Sequence, residues 1–158
     1  MTKTTGALML AAVVTAGCLF GGGKSSNLAP GVISDGKQLV SVITSGPFDV
    51  DARGFKQFKI IVPPGATSAQ LEGTFTASGG SGDDIEVTLF EETQFLNWQS
   101  RNKFLPIYES GRLTADRIKV SLPPDPATYV MVFSNRFSLL SSKGIVADLK
   151  LRYEPGKK

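Results

Sequence analysis

The clearest structural signal in the sequence is a segment near its end, Ile145-Val146-Ala147-Asp148-Leu149-Lys150-Leu151-Arg152-Tyr153. Every second residue, beginning with Ile145, is apolar, and most of the intervening side chains are polar or charged. An alternation of period two is typical of a β-strand with one face in a core and the other in solvent. The segment therefore predicts a strand that closes an all-β domain.

The same alternation recurs from about residue 32 onward. Further strands are predicted around residues 58–62, 71–75, 85–89, 118–122 and 129–133, and the last of these is apolar on both faces, which is typical of a central strand. Turn-forming Gly, Pro, Asp and Ser residues separate the runs. About eight short strands at this spacing predict an all-β fold, an antiparallel β-sandwich that is jelly-roll-like.

The alternation also predicts which side chains fill the space between the two sheets: Phe58, Ile60, Leu71, Phe75, Val87, Leu89, Ile118, Val120, Val130, Val132, Leu149 and Leu151. A slip of one residue in any strand would turn its apolar set toward solvent. The least regular stretch is 91–103, which we interpret as a loop that leads into a strand at Trp98. No helix of three turns or more is predicted after residue 30.

Composition excludes several kinds of catalytic and metal site. The 158 residues contain no His and one Cys. No Ser-His-Asp triad, Cys-His dyad or His-ligated metal can therefore form within the chain, and one Cys cannot form an internal disulfide. The formal charge is +3, from 17 Lys and Arg against 14 Asp and Glu, and the basic residues are scattered. We expect no nucleic-acid binding, because such proteins carry a basic stripe.

The first residues are predicted to direct export. Lys3 supplies a positive charge, residues 7–14 form an apolar run, and the small residues Ala16 and Gly17 suit a signal peptidase. The only Cys, Cys18, follows directly. The segment 15–18 resembles the lipobox of bacterial lipoproteins, with Thr where an aliphatic residue is usual.

The resemblance implies that residues 1–17 are a signal peptide and that Cys18 becomes an N-terminus acylated with fatty acids such as palmitate. Residues 18–31, rich in Gly and Ser, are then a flexible tether. Two or more acyl chains hold a protein stably on a membrane. Leu19 resembles the pattern of outer-membrane rather than inner-membrane lipoproteins. We therefore expect residues 32–158 to form a domain held in the cell envelope by a lipid anchor.

A second resemblance concerns the domain. The run Tyr129-Val130-Met131-Val132-Phe133-Ser134-Asn135-Arg136-Phe137-Ser138, followed by Lys143, is similar to the hallmark of the GOLD (Golgi dynamics) domain. The resemblance spans roughly residues 48–153 and implies a sandwich that binds protein partners or cargo without a catalytic centre. Phe133, Asn135, Phe137 and Lys143 then have structural roles, and we expect Asn135 to order its turn by bonding backbone groups. The sequence lacks the disulfide, coiled coil and transmembrane helix of GOLD cargo receptors, so the resemblance extends to the domain and not to their trafficking role.

The candidate binding residues lie in the irregular stretch and directly after it, in the segment 95–104. Phe95, Trp98 and Phe104 occur there together with Arg101. Trp, Tyr and Arg side chains are enriched at binding hot spots, so Trp98 and Arg101 favour a contact surface. The alternative is that Trp98 belongs to the core, because its ring carries a large apolar area.

Carboxylate pairs are weaker candidates. Asp83 and Asp84 provide too few oxygen ligands for calcium unless Asp49 and Asp51 approach them in space. The adjacent pair 91–92 would point to opposite faces of a strand, so it could not act jointly on one bond. We therefore expect no metal, no cofactor and no catalysis.

Three functions remain open. The first is a binding module for a protein or another ligand of the cell envelope, and an exposed apolar patch without carboxylates would favour it. The second is a structural or accessory lipoprotein of an envelope complex, which a uniformly polar surface would favour. The third is a carbohydrate-binding or carbohydrate-active module, for which aromatic residues and paired carboxylates should line one groove.

Overall fold

The computed structural model describes residues 32–35, 38–123 and 127–156, and residues 32–35 are considered by their backbone pairing alone. The predicted signal peptide (1–17), the acylation site Cys18 and the predicted tether (18–31) lie outside the described residues. No helix in the described part of the chain is long and apolar enough to cross a membrane.

Two antiparallel sheets pack face to face. Within the described residues the strands are β1 (Val32–Asp35), β2 (Gln38–Val50), β3 (Phe55–Ile61), β4 (Ser68–Ser78), β5 (Ile85–Glu91), β6 (Tyr108–Leu113), β7 (Ala115–Leu122), β8 (Thr128–Ser134) and β9 (Lys143–Glu154). One sheet has the order β1-β2-β9-β4-β7 and the other has the order β3-β8-β5-β6. The predicted antiparallel β-sandwich is confirmed, and the four-residue β1 accompanies eight longer strands.

The space between the sheets is filled largely as the alternation predicts. Among the predicted residues, Ile60, Leu71, Phe75, Val87, Leu89, Ile118, Leu149 and Leu151 are buried there. Phe58 and Val120 are only partly buried and pack at the margin of this core. The Phe133 ring belongs to the same core, and its centroid lies 5.2 Å from that of Phe48 and 5.8 Å from that of Phe75 in edge-to-face contacts. Such contacts add directionality to the burial of apolar area.

β8 is central, as its apolar faces predict, but its two faces meet different layers. Its odd-numbered residues from 129 to 133 face the other sheet. Val130 and Val132 instead belong to a second buried cluster together with Phe90 and Phe95. The prediction that Val130 and Val132 lie between the sheets is therefore wrong. They are buried on the outer face of the four-stranded sheet, because a further element covers it.

That element is α1 (Glu92–Gln99), the helix that follows β5. The interpretation of residues 91–103 as a loop leading into a strand at Trp98 is therefore wrong. Phe95 and Trp98 are three positions apart, so they share one side of the helix and pack onto the sheet together. Glu92 in the first turn interacts favourably with the helix dipole. Eight residues make little more than two turns, which is too short for a helical period to be recognised.

A polar contact joins the edges of the two sheets where β6 leads into β7. The Tyr108 hydroxyl donates a hydrogen bond to Asp116 Oδ2 across 2.6 Å. Burial raises the pKa of Tyr108, and the hydrogen bond and charge of Asp116 raise it further. The phenol therefore keeps its proton, and the bond between the sheets persists at neutral and moderately alkaline pH.

Candidate binding surfaces

Five aromatic side chains cluster on the outer face of the four-stranded sheet, and we call this cluster the aromatic face: Phe55, Phe90, Phe95, Trp98 and Phe104. The centroids of contacting rings lie between 5.1 and 6.4 Å apart. These separations are those of favourable aromatic pairs. Two strands, α1 and the segment after α1 each contribute to the cluster, so the tertiary fold holds its shape.

The structure places the four predicted binding residues in this region but exposes them unequally. Phe95 is buried, and Trp98 is half-buried against the second cluster. Phe104 and Arg101 are exposed. The segment therefore has an inner part that packs on the sheet and an outer part that faces solvent.

Two leucines complete the outer part. The side chains of Leu96 and Leu105 are 54% and 75% exposed. The backbone N–H of Leu105 donates to Gln94 Oε1 at 2.9 Å, which fastens this segment to α1. We call Leu96, Phe104 and Leu105 the apolar margin of the aromatic face. Sequence reasoning missed both leucines because a loop has no predicted faces, although each directly follows a candidate aromatic residue.

Arg136 is a further residue that the sequence did not single out. Its guanidinium carbon lies 3.9 Å from the centroid of the Trp98 ring and 4.8 Å from that of Phe55, within the range of cation–π contacts. Burial lowers the pKa of Arg136, and the positive charge of Arg101 lowers it further. The pKa of an arginine is ordinarily so high that the group stays charged near neutral pH. A cation therefore sits on the aromatic face with a second cation close by.

Arg101 occupies the turn that ends α1. Its N–H donates to the carbonyl of Trp98 at 3.2 Å, and the N–H of Asn102 donates to that of Asn97 at 2.9 Å. This pair of hydrogen bonds is a Schellman motif. The φ of 62° at Arg101 is left-handed and would suit glycine better. A positive charge near the unpaired carbonyls at the helix end partly offsets that cost.

The hallmark residue Asn135 lies at the end of the sandwich where β8 stops. Its side-chain amide donates to the carbonyls of Val50, Asp51 and Ser141 at 3.3, 3.2 and 2.9 Å. Val50 ends β2 and Ser141 precedes β9, so one buried amide links its own turn to two other stretches of backbone. Asn135 therefore fastens the four-stranded sheet to the five-stranded sheet at this end.

Lys143 is buried nearby, with 3% of its side chain exposed, and its Nζ lies 3.0 Å from Asp84 Oδ1. The glycine-rich loop 79–84 closes over this ion pair. A Cβ at Gly80 would lie 3.1 Å from Lys143 Nζ, and one at Gly82 would lie 2.9 Å from Asp84 Oδ1. Glycine at position 80 is favoured because its φ of 72° is left-handed, and a side chain at position 82 would displace the carboxylate of Asp84.

The candidate carboxylates are engaged within the fold. Asp83 Oδ1 accepts a hydrogen bond from the Gly79 N–H at 2.6 Å, which closes the loop. Glu92 pairs with Lys59 at 2.9 Å across the start of α1. No group of three or more His, Cys, Asp or Glu that could hold a metal ion occurs in the described part of the chain. These carboxylates therefore stabilise a loop and a helix start.

No protein family matches this chain, and no curated protein sequence is similar to it. The resemblances to the lipobox and to the GOLD domain therefore stay predictions from the sequence.

Proposed function

We propose that this chain is a lipoprotein of the cell envelope, anchored through acylated Cys18, whose GOLD-like sandwich binds a protein or another envelope ligand and does not catalyse a reaction. The observation that carries the proposal is the apolar margin of the aromatic face: Leu96, Phe104 and Leu105 are exposed in and shortly after α1, and Arg136 stacks on Trp98 of the same helix. The sequence around Cys18 supports the anchor, and Leu19 supports the outer membrane.

The margin has the chemistry of an interface. Contiguous exposed apolar side chains with polar surroundings are typical of interaction sites. Arg136 stacked on Trp98 adds two of the residue types that dominate binding energies. The Phe104 ring already packs on the buried Phe90 ring, with 5.6 Å between centroids, so binding would cost little further entropy for that side chain.

The other two functions have less support. A uniformly polar surface would favour an accessory lipoprotein. The exposed apolar margin means that the surface is not uniformly polar. A carbohydrate-active module needs two carboxylates on either side of a cleft. Glu91 and Glu92 are consecutive, and Glu92 is paired with Lys59. The aromatic face with its exposed margin therefore favours a binding module.

Photo-crosslinking tests the binding surface. A photoreactive amino acid replaces Leu105 in the full-length anchored protein, and a matched variant carries it at Val146, which is 56% exposed on the other sheet. Irradiation of intact cells should yield a discrete crosslinked species from position 105 and none from position 146. Changing Arg136 to Ala in the position-105 variant should reduce that species. The same products from both positions would refute the aromatic face as the interface.

Acylation is tested separately. Metabolic labelling with a palmitate analogue should mark the wild-type protein and leave Cys18→Ser unlabelled. Thr15→Leu is the matched control, because it brings the lipobox closer to the usual pattern and should keep or increase labelling. An intact mass that shows an unmodified Cys18 in the mature protein would refute the anchor and leave the binding surface unaffected.

A further inference from the structure

A cavity of about 380 Å³ opens at the end of the sandwich, between the glycine-rich loop 79–84 and residues 137–143. Its lining includes Ser81, Asp84, Arg112, Phe137, Leu140 and Lys143. It is separate from the aromatic face, because Arg136 contacts Trp98 whereas the next side chain, Phe137, contacts Arg112 and Lys143. A volume of this size is within the range of small-molecule sites.

The Lys143 ammonium has hydrogen-bond capacity to spare. An ammonium carries three donors, and the hydrogen bond that Lys143 Nζ makes among the described residues is the one to Asp84. Buried polar groups nearly always have at least one hydrogen-bond partner, because an unpaired donor loses its hydration without compensation. Asp84 satisfies one donor of Lys143, and the ammonium lies at the wall of the cavity, where its other donors suit an acceptor group of a ligand.

Arg112 offers a second set of donors. Its Nε donates to Glu86 Oε1 at 3.1 Å, and the two terminal nitrogens of the guanidinium carry four further N–H groups. The guanidinium carbon lies 4.0 Å from the centroid of the Phe137 ring, and Lys143 Nζ lies 5.9 Å from the same centroid. Glu86 and the ring together orient the guanidinium. A planar fork of this kind suits a carboxylate or a phosphate.

The rim of the cavity is apolar and uncovered. Leu139 and Leu140 both line it, and their side chains are 65% and 92% exposed. The exposure of two adjacent leucine side chains to water is unfavourable. A hydrocarbon chain lying across them would remove their apolar area from solvent. The cavity therefore combines donors for an anion at its wall with an apolar rim.

We propose that this cavity binds an amphiphilic anion, with a carboxylate or phosphate group held by Lys143 and Arg112 and an alkyl chain lying across Leu139 and Leu140. Asp84 and Glu86 each occupy one donor and set the direction of its cation, so the remaining donors recognise the ligand. This site does not depend on the anchor or on the aromatic face.

Methyl NMR of the full-length protein in zwitterionic nanodiscs, with labelled leucines, tests the site. Hexanoate and hexyl phosphate are the anionic probes, and hexanol is the uncharged control. The methyl signals of Leu139 and Leu140 should shift in a saturable way with one or both anions and not with hexanol. The anion that saturates at lower concentration identifies the headgroup. Signals of Leu96 and Leu105 serve as the internal reference for unspecific apolar contact.

Variants separate the two parts of the ligand. Arg112→Gln should weaken binding of the anion at least tenfold, because a charged hydrogen bond is lost. Leu140→Ser should weaken binding of the anion about threefold, because less apolar area is buried. The exposed control Arg117→Gln should leave the affinity unchanged. Equal shifts with hexanol and hexanoate, shifts at all leucines alike, or unchanged affinity in both Arg112→Gln and Leu140→Ser would each overturn the proposal.

Discussion

The outer faces of the two sheets are covered in opposite ways. On the four-stranded sheet, Phe90, Val130 and Val132 are buried beneath α1. On the five-stranded sheet, the outward positions around an open depression carry Glu72, Thr74, Arg117, Lys119, Asp148 and Lys150. One face therefore depends on packing against a third layer, and the other presents hydrated polar and charged side chains to solvent.

This difference explains where the candidate interface lies. A single helix of eight residues is too short to cover a whole sheet, so apolar side chains remain exposed beside the helix. The charged face has no covering helix, and most of its outward side chains around the depression are polar or charged. We therefore expect substitutions on the covered face to have large effects on stability, and equivalent substitutions on the charged face to have small ones.

The largest expected effect is that of Phe90→Ala. Phe90 is fully buried between the sheet and α1, so its loss should lower the free energy of unfolding by about 3–5 kcal/mol. Thr74→Ala, an outward position on the other sheet, should change it by less than about 0.5 kcal/mol. Urea midpoints of both variants measure the difference. Similar losses in the free energy of unfolding for the two variants would show that the two faces do not differ in their contribution to stability.

Trp98→Ala should have the next largest effect. The ring is half-buried and contacts Phe55, Phe90 and Arg136, so we expect a loss of about 2 kcal/mol, below the value for a fully buried Trp. Leu96→Ser on the same helix should cost less than about 0.5 kcal/mol, because Leu96 faces solvent. Circular dichroism during urea unfolding gives both values. An equal cost for the two variants would contradict the packing of α1.

Substitutions at Arg101 test how α1 ends. A β-branched residue is poorly accommodated at positive φ, so Arg101→Val should cost about 1 kcal/mol. Arg101→Gly should change the stability by no more than about 0.5 kcal/mol, because relief of the left-handed strain offsets the lost charge at the helix end. Thermal unfolding ranks the two variants. A Gly variant less stable than the Val variant would show that the Schellman turn does not form.

The smallest effect is expected on the charged face. Lys150 and Asp148 form an exposed ion pair at 3.4 Å. Such pairs contribute little in water, so Lys150→Met should shift the free energy of unfolding by less than about 0.5 kcal/mol. Urea unfolding at low and high salt checks this value, and a loss above about 1 kcal/mol would show that ion pairs hold this face.

The strands were predictable because their signal is local. In β9 the alternation of apolar and polar residues reports burial on one face without any knowledge of the neighbours. For β8, two apolar faces correctly predict a central strand, but periodicity does not tell which layer covers each face. Val130 and Val132 were therefore placed on the wrong side. α1 is held by tertiary contacts of Phe95 and Trp98, and its eight residues are too few to show a helical period in the sequence.

The binding surfaces were only partly predictable. Composition drew attention to Trp98 and its neighbours, but Arg136 reaches that ring from the end of another strand. The glycine-rich loop reads as an ordinary turn until Lys143, 59 positions after Asp84, is placed beneath it. Contacts between distant residues carry no pattern that a single sequence displays.

Fluorescence of Trp98, the only Trp in the chain, tests most directly whether α1 packs on the outer face of the four-stranded sheet. A ring held between Phe55 and Phe90 should emit at shorter wavelength than free Trp and resist quenching by acrylamide. Its urea transition should coincide with that of the β-sheet signal in circular dichroism, because the two unfold together. Emission at the wavelength of free Trp in the folded protein would contradict the account. A fluorescence transition at a lower urea concentration than the transition of the β-sheet signal would also contradict it.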